Sequence, residues 1–357
     1  MEIIHYLERA VADQASDIFI VAGGPVSEKT EGCIRAIDDE RLLPPKTKSL
    51  ISEIYTLAER PMDAYLQNGD DDFAFAIPGL ARFRVNAYRQ RGSLAAVVRV
   101  VSFVIPDWEK IHIPPRIMDL ASMSNGVILM TGTAGSGKST TQACIIDRIN
   151  KTRDCHIITL EDPIEFLHRD KRSIISQREI AVDTKDYPSA LRACLRQAPD
   201  VILLGEMRDP DTIHTTITAA ETGHLIIATL HTKGAVNAID RIIDSFPATH
   251  QSQIRTMLSM VLRTVVSQQM VPGKNGSMVP VFEVMQINSA IRSMIRDNKN
   301  HQIGNAIASG GKEGMISMDQ ALLELYREGV ITNCQQNIFT FVLLVVSRGF
   351  SCTNNEE

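Results

Sequence analysis

The chain has 357 residues, long enough for two domains with separate cores, and its 44% hydrophobic and 22% charged content is ordinary for a soluble globular protein. A formal net charge of −5 gives no general attraction to nucleic acid or to an anionic membrane, so neither is expected as a direct partner. The six cysteines (Cys33, Cys144, Cys155, Cys194, Cys334, Cys352) are scattered without a C-x-x-C pair, which argues against a disulfide framework or zinc ribbon and fits a reducing cytoplasm.

Along the chain, the first residues carry Glu2, Glu8 and Arg9 and do not read as a signal peptide. A small α+β domain is expected over 1–104. Residues 18–21 read as a strand, 46–60 as a helix opened by Pro44-Pro45, and 72–77, 82–88 and 94–101 as further strands. In the segment 82–88, Phe83, Val85 and Ala87 share one face and leave Arg82, Arg84, Asn86 and Tyr88 on the other. A linker over 105–117 holds Pro106, Pro114 and Pro115. From there to 337 the apolar runs 127–130, 156–160, 201–204 and 225–228 alternate with helical patterns at 140–150, 186–197, 209–221 and 234–244. That alternation predicts a mostly parallel sheet covered by helices, a RecA-like α/β domain. Beyond Phe246 the pattern predicts mainly helix, over 251–266, 289–297 and 318–328. The tail at 338–357 is apolar and then polar, and its apolar part is far below the ~20 residues of a membrane-spanning helix.

The segment Gly132-Thr133-Ala134-Gly135-Ser136-Gly137-Lys138-Ser139 matches G-x-x-x-x-G-K-[ST] between a predicted strand and a predicted helix. Glycines let backbone N–H groups converge on phosphate oxygens, and the helix N-terminus adds positive potential. Lys138 would neutralise the terminal phosphates and Ser139 would ligate Mg²⁺. The pattern predicts binding of a nucleoside triphosphate with its metal.

Acidic groups gather at the ends of the neighbouring strands. Glu206 follows the run 201–204 and is the candidate for polarising the attacking water. The position before it is Gly205, where many such ATPases carry aspartate. Glu161, Asp162 and Glu165 follow another strand, where they would hold Mg²⁺ through water or position the nucleophile; helix capping by Asp162 before Pro163 is the bland alternative. His224 and His231 flank the apolar run 225–230, seven residues apart, and an imidazole near the γ-phosphate can report its presence. Arg82, Arg84 and, nearby, Arg99 sit on predicted strands from which a trans-acting arginine can reach a γ-phosphate in a neighbouring subunit.

Together, GTAGSGKSTT at 132–141, LEDPIEF at 160–166, VILLGEMRD at 201–209, AAETGHLIIATLHT at 219–232, IDRIIDSFP at 239–247, GLARFRVNAY at 79–88 and AIRSMIRD at 290–297 resemble the secretion-superfamily traffic ATPases, and among them the type IV pilus retraction ATPases. The resemblance spans 16 to roughly 332. It implies a cytoplasmic homohexamer, peripheral at the inner face of the cell membrane, whose N-terminal PAS-like domain packs on the next subunit's RecA-like domain. The cofactors it implies are ATP and Mg²⁺. Its partners would be an inner-membrane pilus platform protein and, as a further candidate, the extension ATPase. Membrane contact would come only through these partners. Gly132 to Ser139, with Thr140, carry over as the nucleotide-binding loop and Glu206 as the catalytic carboxylate. Glu161 and Glu165 would assist at the metal, and His224 and His231 would link nucleotide state to domain motion. Arg84 and Arg99 fall where the family draws its N-terminal-domain arginines, with Arg82 as a competitor. The stretch 290–297 matches a segment that retraction needs apart from hydrolysis.

Retraction is favoured over extension because the chain has neither a long extra N-terminal domain nor a four-cysteine zinc insertion. The alternatives are an accessory pilus or secretion-system ATPase and a nucleotide-gated ring with little turnover. Three stretches depart from the family pattern: Ser16-Asp17-Ile18-Phe19-Ile20 lacks its histidine, 24–30 reads GPVSEKT, and the tail lacks a charged helix.

Overall fold

The computed structural model describes residues 2–331 apart from 31, 102, 103 and 275, so the tail at 338–357 lies outside the described residues. The chain divides into two compact units: 1–105 with 164–169, and 106–163 with 170 onward.

The first unit is a six-stranded sheet in the order β3-β2-β1-β6-β5-β4, with antiparallel neighbours throughout. Its strands are β1 (Asp17–Ile20), β2 (Ser27–Thr30), β3 (Cys33–Ala36), β4 (Asp70–Ile77), β5 (Ala81–Gln90) and β6 (Ser93–Val101). Helices α1 (Glu2–Ala12), α2 (Pro44–Leu57) and α3 (Asp63–Asn68) complete it. In α1 the buried residues Ile3, Tyr6, Leu7 and Ala10 recur at helical spacing and form one apolar stripe. Pro44 and Pro45 open α2, where a missing N–H leaves no helical bond unmade. Along β5, Ala81, Phe83, Val85 and Ala87 are buried while Arg82, Arg84, Asn86 and Tyr88 are not, as the alternation predicts. The elements α1, α3, β2 and β3 went unpredicted.

The second unit carries a seven-stranded sheet in the order β13-β12-β7-β11-β10-β8-β9. In chain order it holds α4 (Pro115–Met118), β7 (Gly126–Thr131), α5 (Lys138–Thr152), β8 (His156–Glu161), β9 (Ile174–Glu179), α6 (Tyr187–Cys194), β10 (Val201–Leu204) and α7 (Pro210–Glu221). There follow β11 (Leu225–Leu230), α8 (Ala235–Asp244), α9 (Ala248–Val261), β12 (Leu262–Pro272), β13 (Met278–Gln286), α10 (Ser289–Arg296), α11 (Ile303–Ser309) and α12 (Met318–Arg327). The strands β12, β7, β11, β10, β8 and β9 run parallel, and only the edge strand β13 is antiparallel. Strands β7, β10 and β11 are buried along their whole length, as their uninterrupted apolar runs require in a sheet covered on both faces.

One expectation fails here, and strands β9 and β13 went unpredicted. The stretch 251–266 is not one helix: α9 ends at Val261 and the chain turns extended at Leu262, where φ is −64° and ψ is 132°. Thr264, Val265 and Val266 are β-branched and lie in β12 beside β7, so burial in the sheet decides between two readings that a short apolar run leaves open. Pro280 is tolerated in β13 because that strand is an edge. Strand β9 was missed because Ser176, Gln177, Arg178 and Glu179 give it no apolar signal; it is the other edge.

Candidate active site

The parallel register sets the site. Thr131 ends β7 opposite Leu230 of β11, and Leu204 ends β10 opposite both Leu160 of β8 and Ala228 of β11. The loop 132–137, the segment 205–208, Glu161 and His231 therefore all leave the same edge of the sheet, at the carboxyl ends of the strands where α/β folds gather their ligands.

At the loop, Gly132 (φ 147°) and Gly137 (φ 83°) adopt backbone conformations that side chains disfavour. A Cβ at 132 would lie 2.3 Å from the Gln268 carbonyl oxygen and 2.6 Å from Ser136 Oγ, so the loop has no room for one. Lys138 is 7% exposed and donates from Nζ to the carbonyls of Gly132 and Thr133, at 2.9 Å each. Gly137 caps α5, and Ser139 and Thr140 lie half-buried in its first turn. Ser136 Oγ and Thr131 Oγ1 are buried without a hydrogen-bond partner. Orphaned polar atoms beside an exposed Thr133-Ala134-Gly135 arch fit a loop shaped around an anion that would satisfy them.

Glu206 is not a solvated strand end. Its side chain is 14% exposed, with Oε2 2.6 Å from Arg208 Nη2 and 3.5 Å from His231 Nε2. The carboxylate holds the Arg208 guanidinium firmly protonated through that hydrogen bond. Glu161 accepts a 2.6 Å hydrogen bond from Thr159 Oγ1. Tyr187, at the start of α6, faces the same acids: burial, and then the charges of Asp162, Glu206 and Glu161, push its phenol well above its usual range. It therefore stays protonated among acceptors. Sequence reasoning missed Tyr187, Arg208 and Gln268; only the G-E-x-R spacing around Glu206 pointed to any of them.

The structure separates other candidates. His231 sits beside Glu206, whereas His224 precedes β11 at the opposite end of the sheet, next to Gly126. Seven residues apart across β11, at about 3.3 Å per residue, the two histidines are roughly 23 Å apart along the strand. His224 Nδ1 instead lies 2.9 Å from the Ala219 carbonyl, closing the end of α7. The two histidines thus flank β11, as their positions around the apolar run predict, and only His231 lies at the phosphate-loop end. Glu165 is exposed and falls in 164–169, the stretch that groups with the first unit. No helix begins at Pro163, which removes capping as the role of Asp162.

In the first unit, Arg84 stands opposite Arg99 across β5 and β6, and Arg99 stands opposite Asp17 across β6 and β1. Arg99 Nε lies 2.9 Å from Asp17 Oδ1 and its side chain remains 65% exposed. Arg84, Arg99, Asn86 and Asp72 line an open cleft on the polar face. Arg82 lies two residues along the same face.

This architecture has known counterparts. The family model for the type II/IV secretion system protein matches residues 2–279. The chain is 40% identical over 333 residues, covering 93% of it and 96% of the relative, to the type IV pilus retraction ATPase PilT of Pseudomonas aeruginosa. It is 42% identical over 304 residues, covering 85% of it and 81% of the relative, to a twitching motility protein of Neisseria gonorrhoeae. A crystal structure of the pilus retraction motor PilT with bound ADP superposes with a TM-score of 0.84 at 42% identity, over 92% of this chain and 94% of that one. The family match over most of the chain and the nearly full-length similarity agree, and the chain belongs to the type II/IV secretion system protein family.

Proposed function

We propose that this chain is an ATP-hydrolysing motor that works as a homohexameric ring and powers retraction of a type IV pilus. The observation that carries the reading is the near full-length similarity to a retraction ATPase, 40% over 96% of that relative. The strand-end chemistry supports it. The backbone N–H groups of 135–140 and the Lys138 ammonium would hold the nucleotide phosphates, and Ser139 is the candidate Mg²⁺ ligand. When bound, Mg²⁺ neutralises charge on the β- and γ-phosphate oxygens.

Glu206 would accept a proton from the attacking water, a role supported by the contacts of Arg208 and His231 with its carboxylate. A positioned general base contributes about 10²–10⁴ in rate. Glu161, held by Thr159, would orient water at the metal. Arg84 and Arg99 would act on a neighbouring subunit's nucleotide, with Arg99 steadied by Asp17. In α10 the segment 290–297 buries Ile291 and Ile295 and leaves Arg296 and Asp297 exposed for a partner. That partner is the membrane platform protein, which fits a protein with no described helix long and apolar enough to cross a membrane.

The test is steady-state ATPase activity with mass by light scattering in the same buffer. Hexamers whose turnover disappears in Glu206→Ala support the motor. Stable hexamers that bind ATP without turnover would overturn it in favour of a gated ring.

A further inference from the structure

The phosphate loop is held from outside its own segment by β12, the strand that the sequence pattern hid. Ser267 pairs with Thr131 in the β12–β7 register, which brings Gln268 level with Gly132 just past the end of β7. Gln268 is 1% exposed. Its Oε1 accepts a 2.9 Å hydrogen bond from Thr141 Oγ1, in the first turn of α5 and 127 residues away in sequence. Its Nε2 lies 2.9 Å from where a Cβ on Gly137 would stand, and its carbonyl oxygen 2.3 Å from where one on Gly132 would stand. One residue thus touches both glycines that shape the loop and the helix turn that follows. The strand itself cannot drift: Ser267 Oγ accepts from Gly234 N at 3.1 Å, and β13 flanks β12 from Thr264 to Pro272.

We propose that Gln268 is a positioning residue for the nucleotide: it clamps the phosphate loop through Thr141 and Gly137 in the shape that binds phosphate. This rests on the reading of the chain as a nucleotide-binding protein. The clamp acts on the loop before any bond is broken, so it serves ADP and ATP alike. Its loss should weaken binding of both and raise KM, with little effect on kcat.

The experiment measures affinity for a fluorescent ADP analogue and steady-state kinetics for wild type, Gln268→Met, Thr141→Val and the double variant, with melting temperature recorded for each. A buried hydrogen bond lost on either side should weaken affinity about fivefold to tenfold. The expected result is that each single variant shows this loss, that kcat stays within twofold, and that the double variant is no worse than either single. Losses that multiply in the double variant would overturn the proposal, since Gln268 would then not act through Thr141. So would a lower melting temperature with unchanged affinity, which is what a merely structural glutamine would give. If Gln268→Met does not fold, Thr141→Val alone decides by the same affinity criterion. A wild-type chain that binds no ADP would refute nucleotide binding itself, an outcome distinct from a wild type that binds and variants that bind equally well.

Discussion

Gly205 occupies a position where a side chain has no space, and the cost of adding one can be worked from its surroundings. It is not among the residues with positive φ, so alanine meets no backbone strain there and the penalty is purely steric. An added Cβ would lie 2.8 Å from the Tyr187 hydroxyl, 3.2 Å from the Leu160 carbonyl oxygen and 3.3 Å from Glu161 Cα. The two backbone atoms ask for a few tenths of an ångström, whereas the hydroxyl must move outright. Overpacking of this kind costs about 1–3 kcal/mol, and for a unit of this size that is a fall of roughly 2–12 °C in melting temperature. Because Tyr187 makes no hydrogen bond to another described residue, Tyr187→Phe removes the obstructing atom without orphaning a partner. Gly205→Ala should therefore lower the melting temperature and, by displacing the adjacent Glu206, the turnover. In a Tyr187→Phe background the same change should cost less than half as much. Differential scanning fluorimetry with parallel ATPase assays on the four proteins measures the coupling. Equal costs in both backgrounds would refute the argument, because the barrier would then not be the phenol.

The remaining predictions concern single groups. Arg84→Ala or Arg99→Ala subunits should bind nucleotide but not turn it over, and mixing them with Glu206→Ala subunits should restore part of the activity; stable mixed rings without recovery would exclude action in trans. His231→Ala should lower turnover more than His224→Ala, since only His231 reaches Glu206, while His224→Ala should mainly lower the melting temperature; the reverse ranking would contradict the placement. Asp147 is partly buried, which works against its charge, but hydrogen bonds from Lys151 and Lys171 prevail and hold its carboxyl below the usual range. A lowered carboxyl stabilises the fold above its unfolded pKa and loses that contribution as pH falls through the folded value. The melting temperature gap between wild type and Asp147→Asn should be open at pH 7 and close on acidification below about pH 4.

What could be read in advance divides by range along the chain. The phosphate loop is a local object: eight consecutive residues contain its turn glycines, its lysine and its hydroxyl, so strand, loop and helix emerge together. The strands β7, β10 and β11 were visible because burial on both faces leaves no polar position to confuse the pattern. Strand β9 was invisible for the opposite reason, an edge whose Ile174-Ile175 is followed by four polar residues. The site itself is assembled by register. That Glu206 meets His231, while His224 does not, follows from the parallel alignment of β10 with β11, which no spacing in the sequence states.

The one serious misreading, helix in place of β12, fell on the strand that matters most for the loop. The segment from Leu262 to Val266 is short, mixes apolar residues with Arg263 and Thr264, and is continuous with α9, so local preference cannot separate one element from two. What separates them is the open edge of β7. An unpaired parallel strand would leave its N–H and C=O groups buried without partners, and β12 satisfies them from Leu262 to Ser267. The same pairing that completes the sheet carries Gln268 onto the phosphate loop. A demand of backbone hydrogen bonding thus delivers a side chain to the nucleotide end of the fold, and the choice of strand over helix there is inseparable from the shape of the loop.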